Sequence, residues 1–536
     1  MSAVFSTIER IKPGLLRLAP VVFGVMTPFG VSAAELTPDA MGRYAPGTTR
    51  FEQVSSVSQF SDVQPTDWAY QALSNLIERY GCVAGYANGS MRGERALTRY
   101  EAAAILNACL DRITEVTDEL KRLMKEFEPE LAVLKGRMDG LEAKVGELEA
   151  TQFSTTTKLS GLATFVLGAN NFSGSAQELV DRNQKRFGAT TFNYDVQLTF
   201  DTSFTGRDLL RTNLRAGNFD FTTNSFGGAG PSSLSQLEVA FQEDLGNKGD
   251  GSDVLTIDRL FYQFPLGEFT FTVGGVVGQE DMLAIWPSVY PADTVLDVLT
   301  LGGAPAAYNK NLGAGAGFWW QHNGFAISAN YVAANGDVGT PEEGGIGTAG
   351  AGSTGTVQVG YTAEQWGVAA IYSRIQNAND LIVYGTNFAL NSFSEPGITS
   401  AFGLSGYWQP AQSDWIPSIS AGWGINSTSY SDGGNSPGLV STSQSWSVGL
   451  QWDDAFRNGN ALGMAVGQPT FATSLAGGGT PNGGNFIWEW WYKLQVTDQI
   501  SVTPALFYLS RPLGADTPEG NSFNQLGALI KTSFRF

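Results

Sequence analysis

Charge is scarce in this chain. Asp, Glu, Lys and Arg make up 15% of 536 residues, where about a quarter is usual. Basic residues are the rarer sign, 32 against 51 acidic, for a net charge of -19. That balance excludes a nucleic-acid binder, which needs clustered Lys and Arg on phosphates. Histidine is nearly absent: His322 is alone and sits in WWQHNGF, where a turn role is expected. With no base beside a nucleophile, no nucleotide loop and no zinc spacing, neither an enzyme nor a cofactor is expected. Only Cys82 and Cys109 are present. Their spacing is too wide for a CxxC redox site, so one structural disulfide is the sharper expectation and two buried thiols the alternative. No later run of about 18 apolar residues appears, so no helix crosses a bilayer, and any insertion must be as a β-barrel.

What is abundant points the same way. Glycine numbers 65 and tryptophan 13, a composition suited to a β protein that shows apolar side chains to lipid. The N-terminus reads as a secretory signal over 1–34. Arg10, Lys12 and Arg17 precede the short apolar stretch LAPVVFGVMTPFGV, and Ser32 and Ala34 hold the -3 and -1 positions. Residues 35–59 form a polar mature linker.

Residues 60–110 read as a small helix–loop–helix unit. Asp67 caps a helix with Trp68, Leu73, Leu76, Ile77 and Tyr80 on its apolar side; GYANGSMRG is a turn; Thr98 and Glu101 have capping-box spacing. FSDV at 60–63, Trp68 with Ala69, GYANG at 85–89 and LTRYE at 97–101 resemble an S-layer homology (SLH) domain, although Tyr100 stands where that family usually has Ala. The resemblance implies docking on peptidoglycan-linked wall polysaccharide. Arg99 and the Gly85–Tyr86 turn would hold anionic groups, and Trp68 would shape the pocket. A guanidinium fork suits a carboxylate or phosphate.

Residues 111–150 carry a heptad seam. Ile113, Leu120, Phe127, Leu134, Leu141 and Leu148 recur every seven residues, with Val116 and Leu123 between them and a one-residue slip after Pro129. A narrow seam with polar flanks is expected to form a coiled-coil stalk and to oligomerise.

From 153 to 536 the rhythm is strand, tight turn, strand, then a long Gly/Ser/Asn/Thr-rich stretch. GFWWQHNGFAISANYV, VQVGYTAEQWGVAAIYS, GLSGYWQPAQSDWIPSISAGWG and WWYKLQVTDQISVTPALFYL are such hairpins. Phe402, Leu404, Gly406 and Trp408 share one face, and Trp446, Val448, Leu450 and Trp452 another; small and polar residues lie opposite. The expected fold is an all-β transmembrane barrel of 16 strands, possibly 18, around a water-filled lumen. The ending GALIKTSFRF fits a last strand that pairs with the first, with Phe536, Phe534 and Ile530 on one face.

Signal, SLH module, coil and barrel in this order resemble cyanobacterial outer-membrane porins. The barrel is similar to the carbohydrate-selective porin family, some relatives of which are labelled iron-uptake porins. The resemblance implies passive diffusion of small hydrophilic solutes and inorganic ions through the outer membrane. A carbohydrate-selective channel and a mainly structural membrane–wall tether are the alternatives. It also implies a homo-oligomer, as a trimer, an SLH domain and stalk in the periplasm, and a terminal Phe536 read by the barrel assembly machinery. Within the barrel, 278–310 lacks alternation and carries Glu280, Asp281, Asp293 and Asp297. It is expected to fold inward as a constriction facing Arg211 and Arg215.

Overall fold

The computed structural model describes residues 156–243, 251–291, 295–379, 381–411, 415–431 and 437–536, with 118–129, 131 and single positions between 68 and 110. The chain divides into two units, 1–146 and 147–536.

In the first unit, helix α1 (Asp118–Glu126) carries part of the heptad seam. Leu120, Leu123 and Phe127 are at most 1% exposed. One chain alone therefore covers these three seam positions, and they do not require a second copy for burial. Arg122 lies over the Trp68 ring, 4.1 Å from its centroid, a cation–π contact. Gly85, Tyr86, Arg99, Cys82 and Cys109 lie outside the described residues, as does the seam from Leu134 onward.

The second unit is a closed barrel of sixteen strands, each antiparallel to its chain neighbours. They are β1 (Thr157–Ser173), β2 (Thr191–Thr202), β3 (Leu209–Gly217), β4 (Thr256–Leu266), β5 (Phe269–Gly278), β6 (Leu312–His322), β7 (Phe325–Ala333) and β8 (Ser353–Thr362). The circuit continues with β9 (Trp366–Gln376), β10 (Gly397–Trp408), β11 (Ser418–Tyr430), β12 (Val440–Asp453), β13 (Ala461–Leu475), β14 (Phe486–Thr497), β15 (Ile500–Ser510) and β16 (Asn524–Arg535). β16 pairs with β1 from Leu162↔Arg535 to Ser173↔Asn524. The Phe536 amide and carbonyl extend this seam to Gly161, at 3.0 and 2.6 Å. Closure leaves no edge whose backbone groups lack partners in lipid.

Connections alternate in length. Those after the even strands are short: 203–208, 267–268, 323–324, 363–365, 409–417, 454–460 and 498–499. Those after the odd strands are mostly longer: 174–190, 218–255, 279–311, 334–352, 377–396, 476–485 and 511–523, with 431–439 equal in length to 409–417. In the 323–324 turn both Asn323 (φ 49°) and Gly324 (φ 82°) have positive φ, the Asn-Gly signature of a type I′ hairpin. His322 closes that turn against Phe325 and stacks on Trp320 at 5.9 Å.

Outward faces are apolar and exposed: Leu404 (48%), Val359 (51%), Leu506 (48%) and Ile530 (45%). Near the short turns, Phe325, Tyr361 and Trp366 touch in sequence at 4.8 and 5.3 Å, as an interfacial aromatic girdle does.

The inward side differs from an open tube. The described parts of the loops 218–255, 279–311 and 377–396 turn into the lumen. Phe226, Leu234, Leu237, Leu296, Leu299, Tyr308, Tyr384 and Phe393 join inward-facing Ile371, Ile487, Trp491, Phe507 and Leu529 in one buried apolar cluster. Each fully buried Leu or Phe stabilises by about 1.5–3 kcal/mol. Irregular backbone buried this way has no ladder of its own, so the wall supplies partners. Ser373 Oγ donates to Ala307 O (2.7 Å), Ser405 Oγ to Gly302 O (2.6 Å) and Ser445 Oγ to Gly303 O (2.9 Å). Ser420 Oγ accepts from the amides of Val289 and Tyr290, both at 3.0 Å. A Cβ on Gly422 would fall on the Gly302 carbonyl oxygen, so only glycine lets the loop dock there. Many of the small polar inward residues thus hold loop backbone rather than water.

Candidate functional site

The loop 279–311 leaves β5 through a short 3-10 turn at Glu280–Met282. It crosses the lumen and returns to β6 at Lys310. Its far reach is clamped by Glu489 on β14, fully buried, which accepts from the Leu296 amide (2.8 Å) and the Tyr290 hydroxyl. Trp491 Nε1 donates to the same hydroxyl at 2.8 Å.

At the near wall the inward positions of β2, β3 and β4 form a ladder of ion pairs. Arg211 binds Asp201 through two nitrogens, both at 2.8 Å. Arg215 binds Asp195 at 2.7 Å and lies 3.7 Å from Asp258. Arg259 reaches Asp258 at 3.0 Å and, on the loop, Glu280 and Asp281, both at 2.8 Å. The cross-strand register explains the first two pairs: Asp201 faces Arg211 directly, and Asp195 is offset by two from Gln197, the partner of Arg215. The third depends on a bulge. β3 pairs Asn213 with Arg259 and Leu214 with Ile257, leaving Asp258 as the extra residue. Asp258 and Arg259 therefore both bear on the ladder, though simple alternation would separate them.

A second cluster joins the loops. Asp297 accepts from Lys310 Nζ (2.8 Å), Thr300 Oγ1 (2.9 Å) and the Tyr384 hydroxyl (2.5 Å). Glu238, on the 218–255 loop, is pushed up to about 7. Burial is the first cause and the charge of Asp297 the second, against the pull of Lys310, Lys531 and Arg215. Glu238 is thus largely neutral below about pH 7 and charged above it. Reversal potentials in unequal salt are expected to show cation preference rising as pH goes from about 6 to about 8, and Glu238→Gln to flatten that rise.

Exposure divides the lumen. Inward Thr354, Thr356, Gln358, Ser373, Ser405, Ser420, Ser445 and Glu489, on β8–β12 and β14, are at most 6% exposed and bond to loop residues. On the opposite side Arg211 keeps 36% and Asp201 30%. Gln197, Thr199, Gln263, Thr270 and Trp319, also inward, are only partly buried. Accessibility on this side centres on the Arg211–Asp201 rung and its partly buried neighbours, while Asp195, Asn213, Asp258, Phe261 and Thr272 of β2–β5 are at most 8% exposed.

The structure brings the expected constriction residues together differently from a simple opposition of signs. Arg211 and Arg215 are answered by Asp201, Asp195 and Asp258 on the barrel wall. Asp281 meets Arg259, and Asp297 meets Lys310; Asp293 lies outside the described residues. Asp195, Asp201, Asp258, Arg259, Lys310, Glu238, Tyr384 and Glu489 were not legible as site residues. A signal existed for two of these: Asp195 and Asp201 share a face in FNYDVQLTFDT, six residues apart. Among the described residues no cluster of three or more His, Cys, Asp or Glu suits a metal ion.

Comparison with known proteins agrees with this architecture. The carbohydrate-selective porin, OprB, family matches residues 115–522, and the S-layer homology domain matches residues 59–103. An uncharacterized protein of Nostoc sp. is 35% identical over 532 residues, covering 90% of this chain and 86% of its own. One from Synechocystis sp. is 30% identical over 554, covering 94% and 96%. Outer membrane protein alpha of Thermotoga maritima is 24% identical over 199 residues, 35% of this chain and 45% of its own. Among solved structures, OprB of Pseudomonas putida at high pH aligns with TM-score 0.44 and 13% identity over 73% of this chain and 96% of its own. This chain belongs to the carbohydrate-selective porin, OprB, family, as an outer-membrane porin that carries an SLH domain.

Proposed function

We propose that the barrel passes small hydrophilic solutes and inorganic ions passively along the strip between the inward loops and β2–β6. The observation that carries this reading is the divided lumen: side chains of one wall are sealed by loop backbone, while the Arg211–Asp201 rung opposite keeps about a third of its surface. Fixed charges of both signs along a narrow aqueous path suit hydrated ions and polar solutes. Five carboxylates, Asp195, Asp201, Asp258, Glu280 and Asp281, face three guanidiniums, Arg211, Arg215 and Arg259. The excess acid favours cations. Family membership favours carbohydrates as a second solute class. Liposome swelling tests both: expected is fast swelling in small salts, with sugars entering at rates that fall with size. Swelling by disaccharides but not by salts would reverse the order of the two readings.

The protein acts as a channel rather than an enzyme in this proposal. Its SLH domain, with Trp68, Gly85, Tyr86 and Arg99, docks on peptidoglycan-linked polysaccharide in the periplasm, and the oligomer is a trimer. Phe536 serves the barrel assembly machinery. Deleting it removes the two backbone bonds to Gly161, about 0.5–1.5 kcal/mol each, and the cover of its largely exposed ring over Gly161. Purified protein is therefore expected to refold, while the outer-membrane level in cells falls sharply; equal levels in cells would remove the assembly role.

A further inference from the structure

We propose that Asp297 is the positioning residue of the throat: its carboxylate ties the 279–311 and 377–396 loops together at the point where its own main chain holds the 218–255 loop, and loss of the carboxylate loosens that junction. This rests on the reading that loop 279–311 narrows the passage.

Bonds from all three loops converge on Asp297. Asp297 opens a short 3-10 turn, Asp297–Thr300, at the far reach of the 279–311 loop. Its two carboxylate oxygens are divided between partners. Oδ1 accepts from Lys310 at the return of the same loop to β6, and from Thr300. Oδ2 accepts from the hydroxyl of Tyr384, on the 377–396 loop. Its backbone amide donates to Gln236 O at 3.2 Å, on the 218–255 loop. The bridge Leu237↔Leu296 and the bond from the Glu238 amide to Val295 O (2.9 Å) extend that contact.

Each of the three loops is fastened elsewhere to the wall, so the knot sets where their free spans lie. Behind Tyr384, the Thr386 amide donates to Thr470 O on β13 at 2.9 Å. Lys310 has positive φ, 52°, and its amide donates to Gln279 Oε1 at 3.1 Å, at the departure of the loop from β5. On the 218–255 loop, Ser225 Oγ accepts from Gln525 Nε2 of β16 at 2.8 Å. Asp297 (14% exposed) and Lys310 (25%) also border accessible space. The Asp297 charge is already met by Lys310. Its chief effect on permeation is therefore on where the loops stand, and only secondarily on which ions pass.

Tyr384→Phe isolates this role, because it removes one hydrogen bond and no charge at neutral pH. Asp297→Asn and Tyr384→Phe are compared with the parent in planar bilayers. Expected are more frequent transitions between conductance sublevels in both variants, greater in Asp297→Asn, with the Tyr384→Phe reversal potential unchanged. Hydrogen exchange of the purified barrel in detergent reads the same knot without current. Amides at 234–238 and 295–300 are expected to exchange about tenfold faster in Tyr384→Phe, the scale of losing one hydrogen bond to a charged group. Unchanged exchange at both segments overturns the proposal, as does an Asp297→Asn channel altered only in reversal potential. A parent that carries no current would refute the passage reading alone, and the exchange result would still decide the knot.

Discussion

Replacing Arg259 with methionine raises the cation-to-anion permeability ratio severalfold and lowers the unfolding temperature of the barrel. Arg259 is the point where the wall and the inward loop share charge. It meets Asp258 on its own strand and Glu280 and Asp281 on the loop, with all three contacts at 3.0 Å or less. Methionine keeps much of the volume and removes the cation, leaving three carboxylates facing one another. Removing one partner of a buried ion pair costs about 3–5 kcal/mol. The lower end applies here, because the Arg259 side chain keeps 19% exposure and the carboxylates can relax into water or take up protons. The permeability effect follows from sign alone: the strip loses a positive charge where the wall meets the inward loop. Arg259→Lys separates charge from geometry, since a point ammonium cannot serve three acceptors as a guanidinium fork does. It is expected to retain selectivity and lose part of the stability. Reversal potentials and thermal unfolding in detergent check the two effects separately.

The second large effect is expected at the closing seam. Ala528→Pro strongly destabilises the barrel, because both flanking ladders at Ala528 are continuous, whereas the native Pro504 of β15 has no ladder partner on β14. Ala528 lies within β16, opposite Ala169 of β1 and Leu506 of β15. Proline there has no amide to give to either neighbour, and its ring obstructs the ladder. On an edge strand that loss is tolerable. In a closed barrel every strand is interior, and an unpaired backbone group in the hydrocarbon costs several kcal/mol. Heat-modifiable electrophoretic mobility is expected to disappear in Ala528→Pro and to persist in Ala528→Val. A folded proline variant would mean that the β1–β16 seam tolerates a missing ladder bond, as β15 does at its native Pro504.

Much of this architecture was legible because it repeats. Alternation of side chains over sixteen strands, with Phe402, Leu404 and Trp408 out and Ser405 in, is a period-2 signal that needs no knowledge of neighbours. Turn chemistry at Asn323–Gly324 is equally local. The inward course of 279–311 was readable from its broken alternation. The pairing inside the lumen was not, because it depends on register and on a bulge. The sequence DRLFYQF does not reveal that Asp258 is an extra residue, and so does not bring Asp258 and Arg259 to bear together. The wall serines carried a further ambiguity. Ser373, Ser405 and Ser445 are small and polar whether they face water or hold a carbonyl, and only the path of the loop decides between the two. In the heptad segment, Leu120, Leu123 and Phe127 gave the correct buried face of α1, but periodicity does not say whether the cover comes from another chain or from the same one.

Single-channel recording of the purified full-length chain in planar bilayers decides whether the barrel conducts. Discrete, ohmic current steps with a preference for cations are expected, and a stronger preference when Arg259 is replaced by methionine. Protein that is folded by heat-modifiable mobility, inserts into the bilayer and yet gives no steps would contradict the channel reading.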